Sequence, residues 1–256
     1  MKKITNEFKK EKSSKLRVYI ILRFLVIVCM IRQIFQGNLS NVLLCILTLI
    51  LFLIPSILSK KLKIEFPDTL EILVYAFIFS AEILGEINEF YIHIPNFDSI
   101  IHTINGFIMA GIGLSLVDIL NNDPNTKFSL KPIYVVLCAF CFSMTTGAIW
   151  EIFEYSMDKI FYMDMQKDAI ITEITSVKLN EEGKNKPETI KINSLEVNGE
   201  DYMEKYGGYI DIGLNDTMED LIVNFIGAIV FCSLGYFYLV GRDNTAQKFI
   251  ITKKTN

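Results

Sequence analysis

The chain has 256 residues, is 51% hydrophobic with a mean hydropathy of +0.36, and sets 25 Lys and Arg against 29 Asp and Glu. Half of those charges fall in residues 1–17 and 159–215, so the remainder is far more apolar than the average suggests. This balance excludes a disordered chain, a basic nucleic-acid binder and a small disulfide scaffold.

A bilayer core of about 30 Å asks a helix for roughly 20 mostly apolar residues. Six stretches answer that requirement, at 16–36, 40–58, 69–90, 98–120, 131–158 and 216–240. The fold class expected is therefore an all-α membrane protein: a six-span transmembrane helical bundle with a small β-containing outer insertion. Residues 1–15 form a basic tail, 16–158 carry spans 1–5, 159–215 form the insertion, 216–240 are span 6 and 241–256 are a second tail. The first apolar run lacks a small-residue cleavage site and is long enough to stay as a span, so no removable leader is expected.

Short loops rich in Lys and Arg resist translocation. Such residues occupy the N-terminal tail, positions 60, 61 and 63, positions 127 and 131, and the C-terminal tail at 242, 248, 253 and 254. The connections 37–39 and 91–97 carry none. Six crossings put all of the basic segments on one side. Both termini are then cytoplasmic, in a multi-pass protein of the bacterial cytoplasmic (inner) membrane, and 159–215 lies outside. Within that outer segment, Ile170 to Leu179 and Thr189 to Val197 are rich in β-branched residues and flank a polar turn at 180–186. A small hairpin is expected there.

The five cysteines all fall inside the expected spans, where a thiol behaves as a small apolar packing residue. Cys138-x-x-Cys141 has a redox spacing but lies on a membrane helix without a thioredoxin-like context. No zinc-ribbon spacing, P-loop, GxGxxG, GxSxG or HExxH motif occurs.

Ionisable groups in hydrocarbon cost roughly 2.5 to 3.5 kcal/mol on insertion scales, so they tend to face a cavity or a partner. Four spans carry them in stripes. Glu82, Glu86 and Glu89 share one face of span 3. Asp98, His102, Asn105, Gly106, Ala110 and Gly113 line span 4. Gly147, Glu151, Glu154 and Asp158 line span 5, and Asp216, Asp220, Asn224 and Gly227 line span 6. The expected topology brings these stripes to the outer halves of their spans, with small residues allowing close approach.

The expected metal ligands are Asp98, His102, Glu151, Glu154, Asp216 and Asp220, with Glu82, Glu86 and Asn224 in support. His102, Glu151 and Glu154 are the candidate catalytic groups. Crowded carboxylates require protons, water or a bound cation, and carboxylates with one imidazole suit Mg²⁺, Mn²⁺ or Zn²⁺. Structural alternatives stand beside this reading. Asp98 and Asp216 can cap helices, His102 can be a core histidine bonded to Asp98, and the Glu151 face can be solvated. Trp150 and Tyr155 read as interfacial anchors, Arg23 as a snorkelling cation and His93 as exposed.

Three classes of function fit. A membrane enzyme would act on an envelope lipid or lipid-linked precursor through one outer pocket. A cation- or proton-coupled transporter would need a matching inner half-site. A non-catalytic scaffold or regulator would dock an extracytoplasmic protein through the insertion and tolerate changes at Glu151 or His102. Beyond the lipid bilayer, no nucleic-acid partner is expected.

The ordered motifs Asp98-Ser-Ile-Ile-His102 with Gly106, Trp150-Glu151-Ile-Phe-Glu154-Tyr155, and Asp216-Thr-Met-Glu-Asp220 through Asn224 to Gly227-Ala228 resemble the YjdF-type family of bacterial inner-membrane proteins. The likeness covers roughly residues 69–240, apart from much of 165–210. More distantly, the D-x-x-x-H, E-x-x-E and D-x-x-x-N-x-x-G order is similar to VanZ-like proteins, some of which are linked to glycopeptide resistance. The resemblance implies a membrane helical bundle with an outer polar site, and it implies no substrate.

Overall fold

The computed structural model describes residues 2–123, 126 and 129–254, with side chains from Ser14 onward. Lys127 and the basic side chains before Ser14, which contribute to the orientation argument, lie outside that description. The chain forms two compact units, Met1–Ala148 with Asp220–Asn256, and Ile149–Glu219.

Among the described residues, five helices are long and apolar enough to cross a membrane: Ser14–Gln36, Leu39–Lys61, Phe97–Asn121, Pro132–Phe161 and Leu214–Leu239. The first belongs to α1 (Lys2–Gln36). The second is built from α2 (Leu39–Leu51) and α3 (Ile54–Lys61), and Pro55 sits in the first turn of α3, where its missing N–H costs nothing. Asn38 caps α2 by accepting from the Asn41 amide at 3.1 Å.

The apolar run expected at 69–90 folds as α4 (Asp68–Phe79) continued by a π-helical stretch, Ser80–Ile87, and is not among the five. Left-handed Glu89 ends it, the short α5 (Phe90–His93) follows, and left-handed Asn96 precedes α6 (Phe97–Asn121). Then come α7 (Pro132–Phe161), α8 (Tyr202–Tyr206) and α9 (Leu214–Leu239).

Three apolar clusters hold the first unit together. Val26, Cys45, Phe52, Tyr75 and Ile83 join α1, α2, α4 and the π-helical stretch. Leu114, Val135, Ala139, Phe231, Ala246 and Ile250 join α6, α7, α9 and the C-terminal segment. Leu70, Ile108, Ile64 and Ile251 form the third. Large side chains such as Phe24 and Phe35 of α1 point away from these clusters, Phe35 at 87% exposure, as a lipid-facing surface does.

Polar contacts mark both ends of α1 against the α4 helix. Lys15 Nζ lies 2.7 Å from Asp68 Oδ1 and 2.7 Å from Glu71 Oε2, and the Tyr75 hydroxyl donates to Glu71 at 2.8 Å. Seventeen residues further along α1, Arg32 Nη2 donates to Asn88 Oδ1 at 3.0 Å. The two segments therefore run side by side in the same direction.

Residues 241–256 are more than the tail expected from sequence. After α9 the chain turns at Gly241, makes a 3₁₀ turn at Thr245–Phe249, and pairs Thr252–Lys253 antiparallel with Ile64–Glu65. Lys253 also bonds Asp123, and Lys254 N–H donates to Lys63 O at 2.9 Å.

The second unit contains three two-stranded ladders and α8. The hairpin expected from sequence is present: Glu173–Ser176 pairs antiparallel with Glu188–Lys191, placing Ile174 opposite Ile190 across a loop that includes Asn180 to Lys186. Three aspartates fasten the chain that follows α7. Asp158 accepts from Met165 N–H at 2.7 Å and Gln166 N–H at 2.9 Å. Asp216 accepts from Lys167 N–H at 3.0 Å and Asp211 from Ala169 N–H at 3.0 Å. Burial opposes the charge of Asp211, but the amide donors of Ala169, Gly213 and Asn215 outweigh it and hold this carboxyl below its usual range. The neighbouring Asp168 goes the other way, raised by burial and then by Asp164, Asp211 and Asp158.

Candidate functional site

Two glycines set how closely α6 and α9 approach. A β-carbon on Gly106 would overlap the Asn224 carbonyl oxygen, and one on Gly227 would overlap the Thr103 carbonyl oxygen. Each helix thus receives the other's backbone in the space its glycine leaves, a contact open only to the smallest side chain. Asn224, 1% exposed, sits at the centre. Its Oδ1 accepts from Asn105 Nδ2 at 3.2 Å and its Nδ2 donates to Ser143 O at 3.5 Å, while Ser143 Oγ donates to Gly106 O at 2.8 Å. Gly147 of α7 leaves room for the same amide group.

One turn before Gly106 lies His102, and one turn before Asn224 lies Asp220. The glycine contact therefore fixes the distance between them. His102 Nε2 stands 3.5 Å from Asp220 Oδ2 and 3.4 Å from Asp98 Oδ1. The side chains of His102 and Asp220 are 9% and 3% exposed and that of Asp98 is 26% exposed, so the group is buried on one side and reachable on the other. Carboxylate oxygens of Asp98 and Asp220 also come within 4.8 Å of each other.

Both separations are longer than a good N–H···O bond of about 2.7–3.2 Å. For comparison, two ligands held at about 2.1 Å by one tetrahedral ion stand about 3.4 Å apart. Octahedral Mg²⁺ with bonds of about 2.1 Å would bring neighbouring ligands to about 3.0 Å. His102 and Asp220 belong to a buried acid and imidazole group that could hold a metal ion, and Asp98 shares a second candidate group with Asp220.

The other expected site residues divide by unit. In the first, Glu82 is half-buried and Glu86 exposed on the π-helical stretch, and neither belongs to a group with metal-ligand spacing among the described residues. Glu89 leaves the stripe because its left-handed backbone ends the helix, and it meets exposed His93 at 3.1 Å. Asp98 is not the cap of α6, which starts at Phe97 after Asn96 without a side-chain cap bond. Arg23 Nη1 donates to the Tyr19 hydroxyl at 2.6 Å.

In the second unit, Glu151 and Glu154 of α7 are buried, at 4% and 8% exposure, with carboxylate oxygens within 4.8 Å of each other. Asp216 lies in the first turn of α9, which starts at Leu214, and accepts from Lys167 N–H, so it fastens residues 165–169 and is not the helix cap. Trp150 and Tyr155 are exposed, as interfacial anchors would be, and Cys138 and Cys141 of the first unit are exposed free thiols.

Ser143 and Gln166 are among the buried polar residues that escape the sequence reading. Ser143 continues the α7 stripe one turn before Gly147, a signal available but unread. Gln166, which donates to the Thr217 hydroxyl, carries no sequence signal because its burial arises from a non-helical connection.

A family model described as "Predicted membrane protein (DUF2238)", which is the YjdF-type family, matches residues 17–241. An uncharacterized protein of Thermotoga maritima is 27% identical over 106 residues, which is 41% of this chain and 53% of that protein. The chain thus spans about half the length of the relative it matches. No solved structure matches. The VanZ-like likeness rests on the motif order alone.

Proposed function

The chain belongs to the DUF2238 family of predicted membrane proteins, and from that premise we propose a six-span bundle whose outer acid and imidazole group binds a divalent cation, Zn²⁺ in preference to Mg²⁺ or Mn²⁺, and acts on an envelope lipid or lipid-linked substrate. Parity supports the sixth crossing. Glu65 and Asp123 are both tied to Lys253 and its neighbour, hence to one side of the membrane. An even number of crossings must separate them, and α6 supplies one. The segment 68–87 is then the other, and its contacts with α1 at Asp68 and Asn88 span about 30 Å at 1.5 Å per residue, enough for the hydrocarbon core. Lys15 beside Asp68 supports the start of α1 lying on that same side, and the basic loops favour the cytoplasm for it.

The observation that carries the metal reading is His102 Nε2 facing Asp98 and Asp220 at 3.4 and 3.5 Å. Three protein ligands with one open position are the arrangement of catalytic zinc sites. A bound ion would lower the pKa of a coordinated water and polarise a phosphate or carbonyl oxygen. Glu151 and Glu154 enter the proposal from their sequence position, one and two turns beyond Gly147 on the α7 stripe, as acid and base, with Asp216, Glu82, Glu86 and Asn224 in supporting roles. The depth of Asp98 at the start of a span makes lipid headgroups the reachable substrates.

Metal analysis of the detergent-purified protein tests this. About one equivalent of zinc is expected in the parent, and less than a tenth of that in a folded His102→Ala, Asp220→Asn variant. Zinc absent from the parent after incubation and desalting, or retained by the variant, would overturn the proposal.

A second reading has its own support. The Ile174–Ile190 cross-strand pair is 42% and 48% exposed on a two-stranded hairpin that is marginal by itself, which favours a partner protein docking on the outer insertion. Replacing both isoleucines by serine separates the two. Loss of a copurifying extracytoplasmic partner with zinc retained supports docking, and no change in either leaves the enzyme reading alone.

A further inference from the structure

We propose that residues 245–251 form a re-entrant plug that closes the cytoplasmic end of the bundle, leaving the acid and imidazole group accessible from the outer face only. The inference rests on the six-span reading for its sidedness.

The segment enters among the helices rather than lying across their ends. Ile251 N–H donates to Ser115 Oγ at 2.9 Å, and Ser115 stands six residues, about 9 Å, above the end of α6 at Asn121. The Phe249 carbonyl oxygen lies where a β-carbon on Gly111 would meet it at 3.6 Å, about 15 Å above the same end. The Phe249 ring packs edge-on against Phe107, with centroids 5.1 Å apart, and near Phe231 of α9. Ala246, Ile250 and Ile251 are at most 4% exposed.

Non-helical backbone at this depth is tolerated only where protein surrounds it and satisfies its polar groups. Ala246, Ile250 and Ile251 are enclosed in this way, while Thr245, Gln247 and Lys248 are exposed. The amides of Gln247 and Ile250 donate to Asn244 O and Gln247 O, and the Ile251 amide has the Ser115 hydroxyl. Ser115 in turn donates to Gly111 O at 2.6 Å, so its hydroxyl links the segment to the α6 backbone. Beyond Ile251 the chain leaves again and is fastened at the rim by pairing with Ile64–Glu65 and by the Lys253–Asp123 bond. The result is a wedge held at its tip by aromatic packing and at its base by strand pairing.

A plug in this position predicts what water can reach. Cys232 of α9 shares a buried cluster with Ala246 and Ile250, so its thiol reports on the seal. The test uses the full chain with the other four cysteines replaced by alanine, in inside-out vesicles, labelled with a membrane-impermeant maleimide. Cys232 should be protected, and Ala246→Glu, which forces the segment out by placing an acid in that cluster, should raise its labelling at least tenfold. Deletion of residues 245–256 should do the same where the shortened chain remains monodisperse.

Lys254→Cys on the cysteine-free background reads sidedness separately. Labelling there in inside-out vesicles supports the topology, and labelling only in right-side-out vesicles overturns topology and plug together. With sidedness supported, fast labelling of Cys232 in the intact chain, or continued protection in folded Ala246→Glu, overturns the plug alone.

Discussion

The first unit handles its partly or fully buried acids in two opposite ways. Asp68, Glu71 and Asp123, at the ends marked by Ile64 and Lys253, each meet a lysine amine at hydrogen-bond distance. Asp98 and Asp220, at the other ends of their helices, meet an imidazole at 3.4 and 3.5 Å. A lysine is cationic throughout the neutral range, so the first arrangement is a fixed neutralisation and serves assembly. A histidine can be neutral there and is a good ligand for Zn²⁺, so the second arrangement leaves negative charge for a cation to balance.

The largest effect that could break this contrast lies in the scaffold beneath the imidazole. Gly227→Val forces a side chain onto the Thr103 carbonyl and should destabilise the bundle by about 3 kcal/mol, measured as a lower melting midpoint in detergent. An unchanged midpoint would mean that α6 and α9 are not held at backbone contact. Asp220→Asn comes next and should weaken zinc binding at least a hundredfold in a competition titration. Asp68→Asn should leave it within twofold, and equal losses would erase the distinction between the two ends.

Lys15→Met should cost about 1–2 kcal/mol in stability, because it strands two partly buried carboxylates. Adding Asp68→Asn and Glu71→Gln should recover most of that cost, and failure to recover would show that Lys15 acts by something other than charge. Smaller still is a pH effect confined to the insertion. Asp211 titrates below its unfolded value, so its contribution to holding Ala169 is present above about pH 4 and is lost as pH falls through the lower folded value. Hydrogen exchange at the Ala169 amide should accelerate there, beyond its intrinsic pH trend, and Asp211→Asn should remove the step. Least of all, replacing exposed His93 by alanine should change neither zinc content nor stability.

What the sequence made legible follows from physical range. An apolar run of 18 residues is a property of adjacent positions, so α1, α2 with α3, α6, α7 and α9 could be read directly. Charges inside such runs stand out for the same reason, and they led to Asp98, His102 and Asp220. The π-helical stretch at Ser80–Ile87 was hidden, since its apolar pattern resembles that of an α-helix over so few turns. The shared face expected of Glu82 and Glu86 assumed regular α winding, and on the π-helical stretch Glu82 is half-buried and Glu86 exposed. The C-terminal segment was hidden for a further reason. Phe249-Ile250-Ile251 is too short to register as apolar structure, and its burial depends on Ser115 and Ile64, more than a hundred residues away.

The pairing of residues 252–253 with 64–65 also orders events in time. The partners of the C-terminal segment, on α4, α6 and α9 and in the 62–67 connection, are all synthesised before it. The segment therefore joins helices that are already made, so its packing is the last of these contacts to form.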